Sequence, residues 1–285
     1  MPARIALLLA ALFALPALGQ EAAPRVAGTI ELADGDILLE ARDGAARVPM
    51  AGGEVREGDT VTTFDHAELQ LHMADGASII VRENSKMTIA AYIADGGDED
   101  RSLIELARGA LRSITGWIGK YNRESYAIRT PLVTIGVRGT DHEPSHLLPG
   151  DPRGEAGSYD KVNDGAAFMK GAEGTIEVPK GRAVFRAPGR GARPRLLASV
   201  PAFYRPGRHE RQFEARAFER RKDLQRQRIK RQEIVRKNRR AAGPRRERLE
   251  PHRARAEPPR ERVEPRHEPV EPRHERPERR RRRVE

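Results

Sequence analysis

Residues 26–140 predict an all-β domain, a sandwich or roll of short antiparallel strands, and three observations carry that expectation. Apolar and polar residues alternate in short runs, the period-two signature of half-buried strands. Turn signals recur about every 8–12 residues, the spacing of sandwiches and barrels. Asp-Gly pairs, which supply the positive φ angles of hairpin turns, stand at Asp34-Gly35, Asp43-Gly44, Asp75-Gly76, Asp95-Gly96 and Asp164-Gly165. Their intervals are irregular, so no strict repeat is implied.

Val26 to Leu32 alternates, turns at Asp34-Gly35 and resumes at Ile37-Leu38-Leu39. Glu68 to Met73 alternates strictly, with Leu69, Leu71 and Met73 on one face. Asp75-Gly76 then leads into Ser78 to Val81, a hairpin pattern. Met87, Ile89 and Ala91 alternate next, and Asp95 to Arg101 reads as a polar loop. By period alone, Leu103 to Leu111 fits a strand or a short helix; Gly109 within it favours strand. Ser125 to Arg129 and Val133 to Val137 complete the run. The proline- and glycine-rich segment 141–160 reads as a loop. Residues 161–200 read as two or three accessory strands, too few for a core of their own, packing on the main sheet. Over 205–240 proline thins out after Pro206 and Arg, Glu, Gln, Lys and Ala dominate, which predicts one charged helix. Its apolar residues, Phe213, Phe218, Leu224, Ile229, Ile234 and Val235, form no continuous stripe, so the helix is expected to be largely solvated. Residues 241–285 are Pro, Glu, Arg and His, with Val263–Glu268 echoed by Val270–Glu275. With so little to bury, a disordered basic tail is expected there.

Charge is unevenly placed. The chain has 53 Lys+Arg and 42 Asp+Glu; residues 205–285 hold 30 and 15 of them, leaving a mildly acidic body with 23 and 27. A body and tail of opposite sign predict a tail with an anionic partner. Cysteine is absent, which excludes disulfides, thiolate metal sites and thiol nucleophiles. At the N-terminus Arg4, the apolar run from Ile5 to Leu15 and Ala17-Leu18-Gly19 have the form of a signal peptide over 1–19, with cleavage expected between Gly19 and Gln20. The apolar run is short for a membrane span. The mature chain is therefore expected in the periplasm, without a transmembrane segment.

The stretch from Gly109 to Thr140 carries the most specific pattern. It contains Gly109-Ala110-Leu111-Arg112, Thr115-Gly116-Trp117 and Thr130-Pro131 followed by Gly136-Val137-Arg138-Gly139-Thr140. This stretch resembles the FecR domain, the envelope sensor module of bacterial ferric-citrate-type regulators. The resemblance covers roughly Gly28 to Thr140 and continues more weakly to Phe185. In the best-known members a cytoplasmic helical segment controls a sigma factor, and a membrane span precedes the periplasmic sensor. Neither of those two parts is recognisable here. The resemblance therefore implies the sensor half acting without them, and not an anti-sigma regulator acting by itself.

Candidate binding residues are Trp117, Arg129, Arg138 and Thr140. Arg138, between two nearby glycines, has the forked donor set that reaches carboxylates or carbonyls, and it could equally tie loops together. Trp117, the sole tryptophan, could line a pocket or pack in the core. Asp141-His142-Glu143, with His146 nearby, has metal-ligand chemistry, but in a strand His142 would point away from the two carboxylates. No metal and no cofactor is expected. The acidic continuation after Thr140 departs from the apolar strand usual in FecR-like domains. Gly-x-Ser-x-Gly, phosphate-loop and His-Glu-x-x-His patterns are missing, so no enzyme is expected; an unpaired set of carboxylates leaves a glycan hydrolase as a remote alternative. The expected partner is an envelope protein or an anionic envelope polymer, the tail supplying about 1 kcal/mol per basic residue near an anionic surface. A small ligand such as a ferric chelate is the alternative. Nucleic acid is not expected, since aromatic stacking residues are missing beyond Phe218.

Overall fold

The computed structural model describes residues 24–241. The expected signal peptide and the proline-rich tail beyond Ala241 lie outside the described residues. In chain order the strands are β1 (Val26–Asp34), β2 (Ile37–Glu40), β3 (Ala46–Arg47), β4 (Glu54–Arg56), β5 (Thr60–Thr63), β6 (Glu68–Met73), β7 (Ser78–Val81), β8 (Lys86–Ile93) and β9 (Arg101–Ile114). A short helix α1 (Trp117–Tyr121) follows. Then come β10 (Tyr126–Arg129), β11 (Thr134–Leu147), β12 (Gly157–Gly171), β13 (Gly174–Pro179), β14 (Ala183–Arg186) and β15 (Arg195–Leu196). Helices α2 (Glu210–Arg221) and α3 (Leu224–Ala241) close the described chain.

These strands form one continuous hydrogen-bonded sheet that folds back on itself. The fold-back is possible because β9, β11 and β12 run 14, 14 and 15 residues, far beyond the usual five or six. Each contributes one half to each of two leaves. The first leaf runs β3-β2-β5-β8, then the start of β9, β10, the start of β11, the end of β12, and β13. The second runs β4-β1-β6-β7, then the end of β9, the end of β11, the start of β12, β14 and β15. All pairings are antiparallel except β9 with β10. Gly109 makes the turn in β9: its φ is +91°, and a Cβ there would lie 2.4 Å from the Ser85 Cα. Gly139, with φ +63°, sits in the corresponding bulge of β11.

The inward faces of both leaves share one apolar core. Leu69, Leu71 and Met73 from β6 meet the same cluster as Met87 and Ile89 from β8 and Ile104 and Leu106 from β9. The predicted sandwich or roll is therefore present, and the alternation over Glu68–Met73 places the expected face inside.

Three expectations need correction. The expected loop over 141–160 is mostly strand: β11 continues to Leu147 and β12 starts at Gly157. Its polar residues are buried among partners of opposite charge, so it lacks the apolar alternation of an ordinary strand. The segment after it is not an accessory layer, because β12 pairs along the whole of β11 and so lies within both leaves; Asp164-Gly165 is a bulge inside β12 and not a hairpin turn. The single solvated helix is two helices separated at Lys222-Asp223, and Phe213, Ala217 and Leu224 are buried. No helix among the described residues is long and apolar enough to cross a membrane.

Candidate functional site

Strand alternation puts a second set of side chains on the outward face of the second leaf. These are Glu68 and Gln70 of β6, Ile80 of β7, Arg112 and Ile114 of β9, Asp141, Glu143 and Ser145 of β11, and Lys161 and Asn163 of β12. Helix α2 lies across this face. Phe213 and Ala217, one turn apart, pack onto Ile80 and Ile114. Around that apolar contact stands a ring of ion pairs. Arg112 forks onto Asp141 at 2.9 and 2.6 Å and reaches Glu210 at 2.5 Å and Glu214 at 2.7 Å. Arg82 donates to Glu143 at 2.8 Å and to Glu210 at 3.1 Å. Lys161 and Asn163 complete the shell of Glu143 at 2.9 and 3.0 Å. On the far side Arg216 and Arg220 hold Glu31 of β1. Burial alone would lower the Arg112 guanidinium, but Asp141, Glu214 and Glu210 raise it above its ordinary value. Burial alone would raise the Glu143 carboxyl, and Arg82, Lys161 and Asn163 hold it below. These charges are matched and locked.

Beside the start of α2 opens a cleft of about 410 Å³. Arg82, Glu143 and Ser145 lie along it, and the segment preceding α2 contributes Phe203, Tyr204, Arg208 and His209. The Phe203 and Tyr204 rings stand 4.5 Å apart, and Phe203 meets Tyr159 edge-on. Arg208 and His209 both contact Asp34, at 3.2 and 3.0 Å. Two hydroxyls are left over. Ser145 is fully buried and its Oγ has no hydrogen-bond partner. The Tyr204 hydroxyl lies against it, so the two buried hydroxyls face each other and no third group. Burial, with the Asp160 charge behind it, pushes Tyr204 well above its ordinary pKa and keeps it a neutral donor.

On the inward side of the same leaf a polar chain crosses the core. Ser113 meets the Tyr126 hydroxyl at 3.0 Å, Tyr126 meets His142 Nε2 at 3.0 Å, and His142 Nδ1 meets Asp160 at 3.1 Å. Burial raises both the Tyr126 and the Asp160 pKa. His142 and Asp160 are fully enclosed, so the chain positions strands and does not meet a ligand.

The four sequence candidates do not converge. Trp117 is core, with its Nε1 donating to Asp100 at 2.7 Å. Arg129 is exposed near the end of β10. Arg138 is exposed and faces Glu177 of β13 at 3.7 Å. Thr140 is fully buried; its Oγ1 donates to the Ala166 carbonyl at 2.6 Å and accepts from the Arg138 amide, fastening the β11 bulge. Asp141 and Glu143 share the outward face while His142 points inward, as strand alternation requires. Sequence reasoning missed Arg82, Arg112, Glu210, Ser145 and Tyr204. The signal available for Arg112, Asp141 and Glu143 was their charge at outward positions of otherwise apolar strands. Nothing local marks Tyr204, which is brought in by the chain ahead of α2.

Among solved structures, the chain is similar to two crystal structures of a candidate anti-sigma factor from Parabacteroides distasonis ATCC 8503. Each is 12% identical, with TM-score 0.39, over 50% of this chain and 60% of theirs. A cell surface anchoring domain is similar at 24% identity and TM-score 0.21, over 22% of this chain and 82% of that one. The chain thus spans less than two thirds of the length of the first two. No curated protein matches it. Residues 59–147, from the approach to β5 through the last residue of β11, match the family model described as FecR protein. The two long strands β9 and β11, the bulge at Gly139 and the Arg112–Asp141 and Arg82–Glu143 pairs all lie within that match, and on it the chain carries a FecR domain.

Proposed function

We propose that this protein is a non-catalytic binding and sensing module of the bacterial envelope, exported to the periplasm and held near anionic surfaces by its basic C-terminal region. The match of residues 59–147 to the FecR family carries the reading, because FecR-type proteins are regulatory. The cleft beside α2 supports it: a concave site lined by aromatic residues and a few polar groups is the usual form of a ligand site. The charge split supports the surface-holding part. On α3, Arg226, Lys230, Arg236, Lys237, Arg239 and Arg240 are exposed and extend the cationic character of the tail into the described structure.

The experiment is co-sedimentation of the intact protein with isolated envelope fragments at low and high salt. A salt-sensitive fraction is expected from the tail and a salt-resistant fraction from the β domain. Binding that vanishes wholly in high salt would reduce the protein to an electrostatic adherent, and no binding at either salt would refute the reading.

A further inference from the structure

We infer that α2 and the second leaf form an acid-sensitive latch, in which a proton taken up by His72 beneath Arg220 loosens the C-terminal half of α2 from β1. The inference rests on the sensing reading and names its signal, acidification.

The geometry is that of a bridge over a titratable ring. His72 stands on the outward face of β6, with Thr29 of β1 opposite it on one side and Ser78 of β7 on the other. From α2, Arg220 donates to Ser78 Oγ at 3.2 Å and to the Glu31 carboxylate of β1. Its guanidinium therefore spans β6 where His72 lies. Arg216, one turn earlier, reaches Glu31 at 3.3 Å and donates to Gln70. The cluster is poorly satisfied: His72 Nδ1, Glu31 Oε2 and Arg216 Nε are enclosed and make no hydrogen bond. Native proteins leave few buried polar atoms in that condition, and three of them meet at this end of α2.

Charge decides the direction of the response. Glu31 already faces two arginines, while Gln70 and Ser78 are neutral. Glu68, the other acid on this face of β6, lies about 13 Å along the strand from His72, at about 3.3 Å per residue, and accepts from Gln70. On α2, Glu219 is exposed and paired with Lys222, and Arg221 turns away to the Gly139 carbonyl and Asp164. A proton on His72 therefore adds a third positive charge to a cluster with one carboxylate. Burial first, and then the Arg220 charge, hold His72 below its ordinary pKa, against Glu31 and the Ala77 carbonyl, which favour the proton. Lifting α2 removes both opposing effects, so the open form takes the proton more readily than the closed one. By linkage, acid favours opening. The other end of α2 responds in the opposite sense. His209 meets Asp34 at 3.0 Å, where a proton on the ring strengthens the pair, and Glu210 stays with Arg82 and Arg112. The loosening is thus confined to the half that carries Arg216 and Arg220.

The test is amide hydrogen exchange of the full-length protein at about pH 7.5 and about pH 5.5, read by mass spectrometry and corrected for the intrinsic pH dependence of exchange. With the open form titrating at the ordinary 6.5, opening can rise at most about tenfold over this interval. A rise of about threefold to tenfold is expected in the peptide covering Arg216–Arg221, with β9 from Leu106 to Leu111 unchanged. His72→Gln, which cannot take the proton, should abolish the rise, and His146→Gln should keep it. NMR titration of the His72 imidazole in the unmodified chain needs no variant. Its midpoint should lie below 6.5, with the rise in exchange falling between that midpoint and 6.5. Exchange of Arg216–Arg221 that ignores pH, an equal rise throughout the β-sheet, a rise that persists in His72→Gln, or a His72 midpoint at or above 6.5 would each overturn the inference. Envelope co-sedimentation at neutral pH on the same samples separates the two readings. If it succeeds while the exchange test fails, the signal alone falls; if both fail, the envelope reading falls with it.

Discussion

Replacing Arg112 by methionine is the sharpest probe of how α2 is held. Arg112 has a side chain 8% exposed and makes four hydrogen bonds to three carboxylates. Removing one partner of a buried pair costs about 3–5 kcal/mol, because the remaining charge stays buried. Here the cost falls at the lower end. Asp141 keeps Asn163 at 3.2 Å and Glu210 keeps Arg82. Glu214 is half exposed, so its pair adds about 0–1 kcal/mol. The expected loss is about 3 kcal/mol. For a domain of this size each kcal/mol lowers Tm by about 2–4 °C, so the melting temperature should fall by about 6–12 °C. Thermal unfolding of the full chain at neutral pH, followed by near-ultraviolet circular dichroism, measures it. Methionine keeps most of the aliphatic stem, so lost packing contributes little. A fall of less than about 2 °C would show that these charges are not buried as a locked ring, and the account of the outward face would be wrong.

Other perturbations test other parts of the fold. Phe213→Ala removes the buried anchor of α2 at a cost of about 3–5 kcal/mol if the site stays closed; the helix is expected to undock first, seen as new protease cuts between Leu197 and His209 while the β-sheet signal persists. Gly109→Ala should cost about 3 kcal/mol or more, from positive φ and collision with the Ser85 backbone, and an unchanged urea midpoint would refute the bend in β9. His72 and His146 are held below their ordinary pKa by burial. Their contribution is fully present above 6.5 and is lost as pH falls through the depressed folded values. Stability should therefore decline below pH 6.5, less steeply in His146→Gln, and a flat urea profile would contradict it. A second decline, from Glu143, should set in only below 4.5, because its folded pKa is depressed.

The sequence made the inner half of the protein legible and the outer half obscure. Leu69, Leu71 and Met73 alternate against water, so their face could be assigned without knowing their partners. Gly109 argued correctly for strand where periodicity was silent. The strand from Asp141 to Leu147 was hidden because its stability comes from Arg82, Arg112 and Lys161, which are distant in sequence and leave no periodic trace. Helix α2 looked solvated for the same reason. Its burial rests on Phe213 and Ala217 alone among apolar groups, and its arginines find acids on β1 while its glutamates find arginines on β7–β9. The candidate residues near Arg138 were drawn from a recognisable motif, and that motif proved to shape a bulge. The cleft depends on Ser145 meeting Tyr204, two unremarkable residues joined only by the tertiary fold.

The position of α2 across β7, β9 and β11 bears on the timing of assembly. Its anchoring contacts reach far back along the chain, as in Arg82 with Glu210, which are 128 apart, and Arg112 with Glu210, 98 apart. Until Glu210–Arg221 has emerged and docked, a nascent chain would present Ile80 and Ile114 as a greasy spot beside Arg82 and Arg112 still lacking Glu210. Such late closure slows completion and gives a chaperone a defined feature to grip.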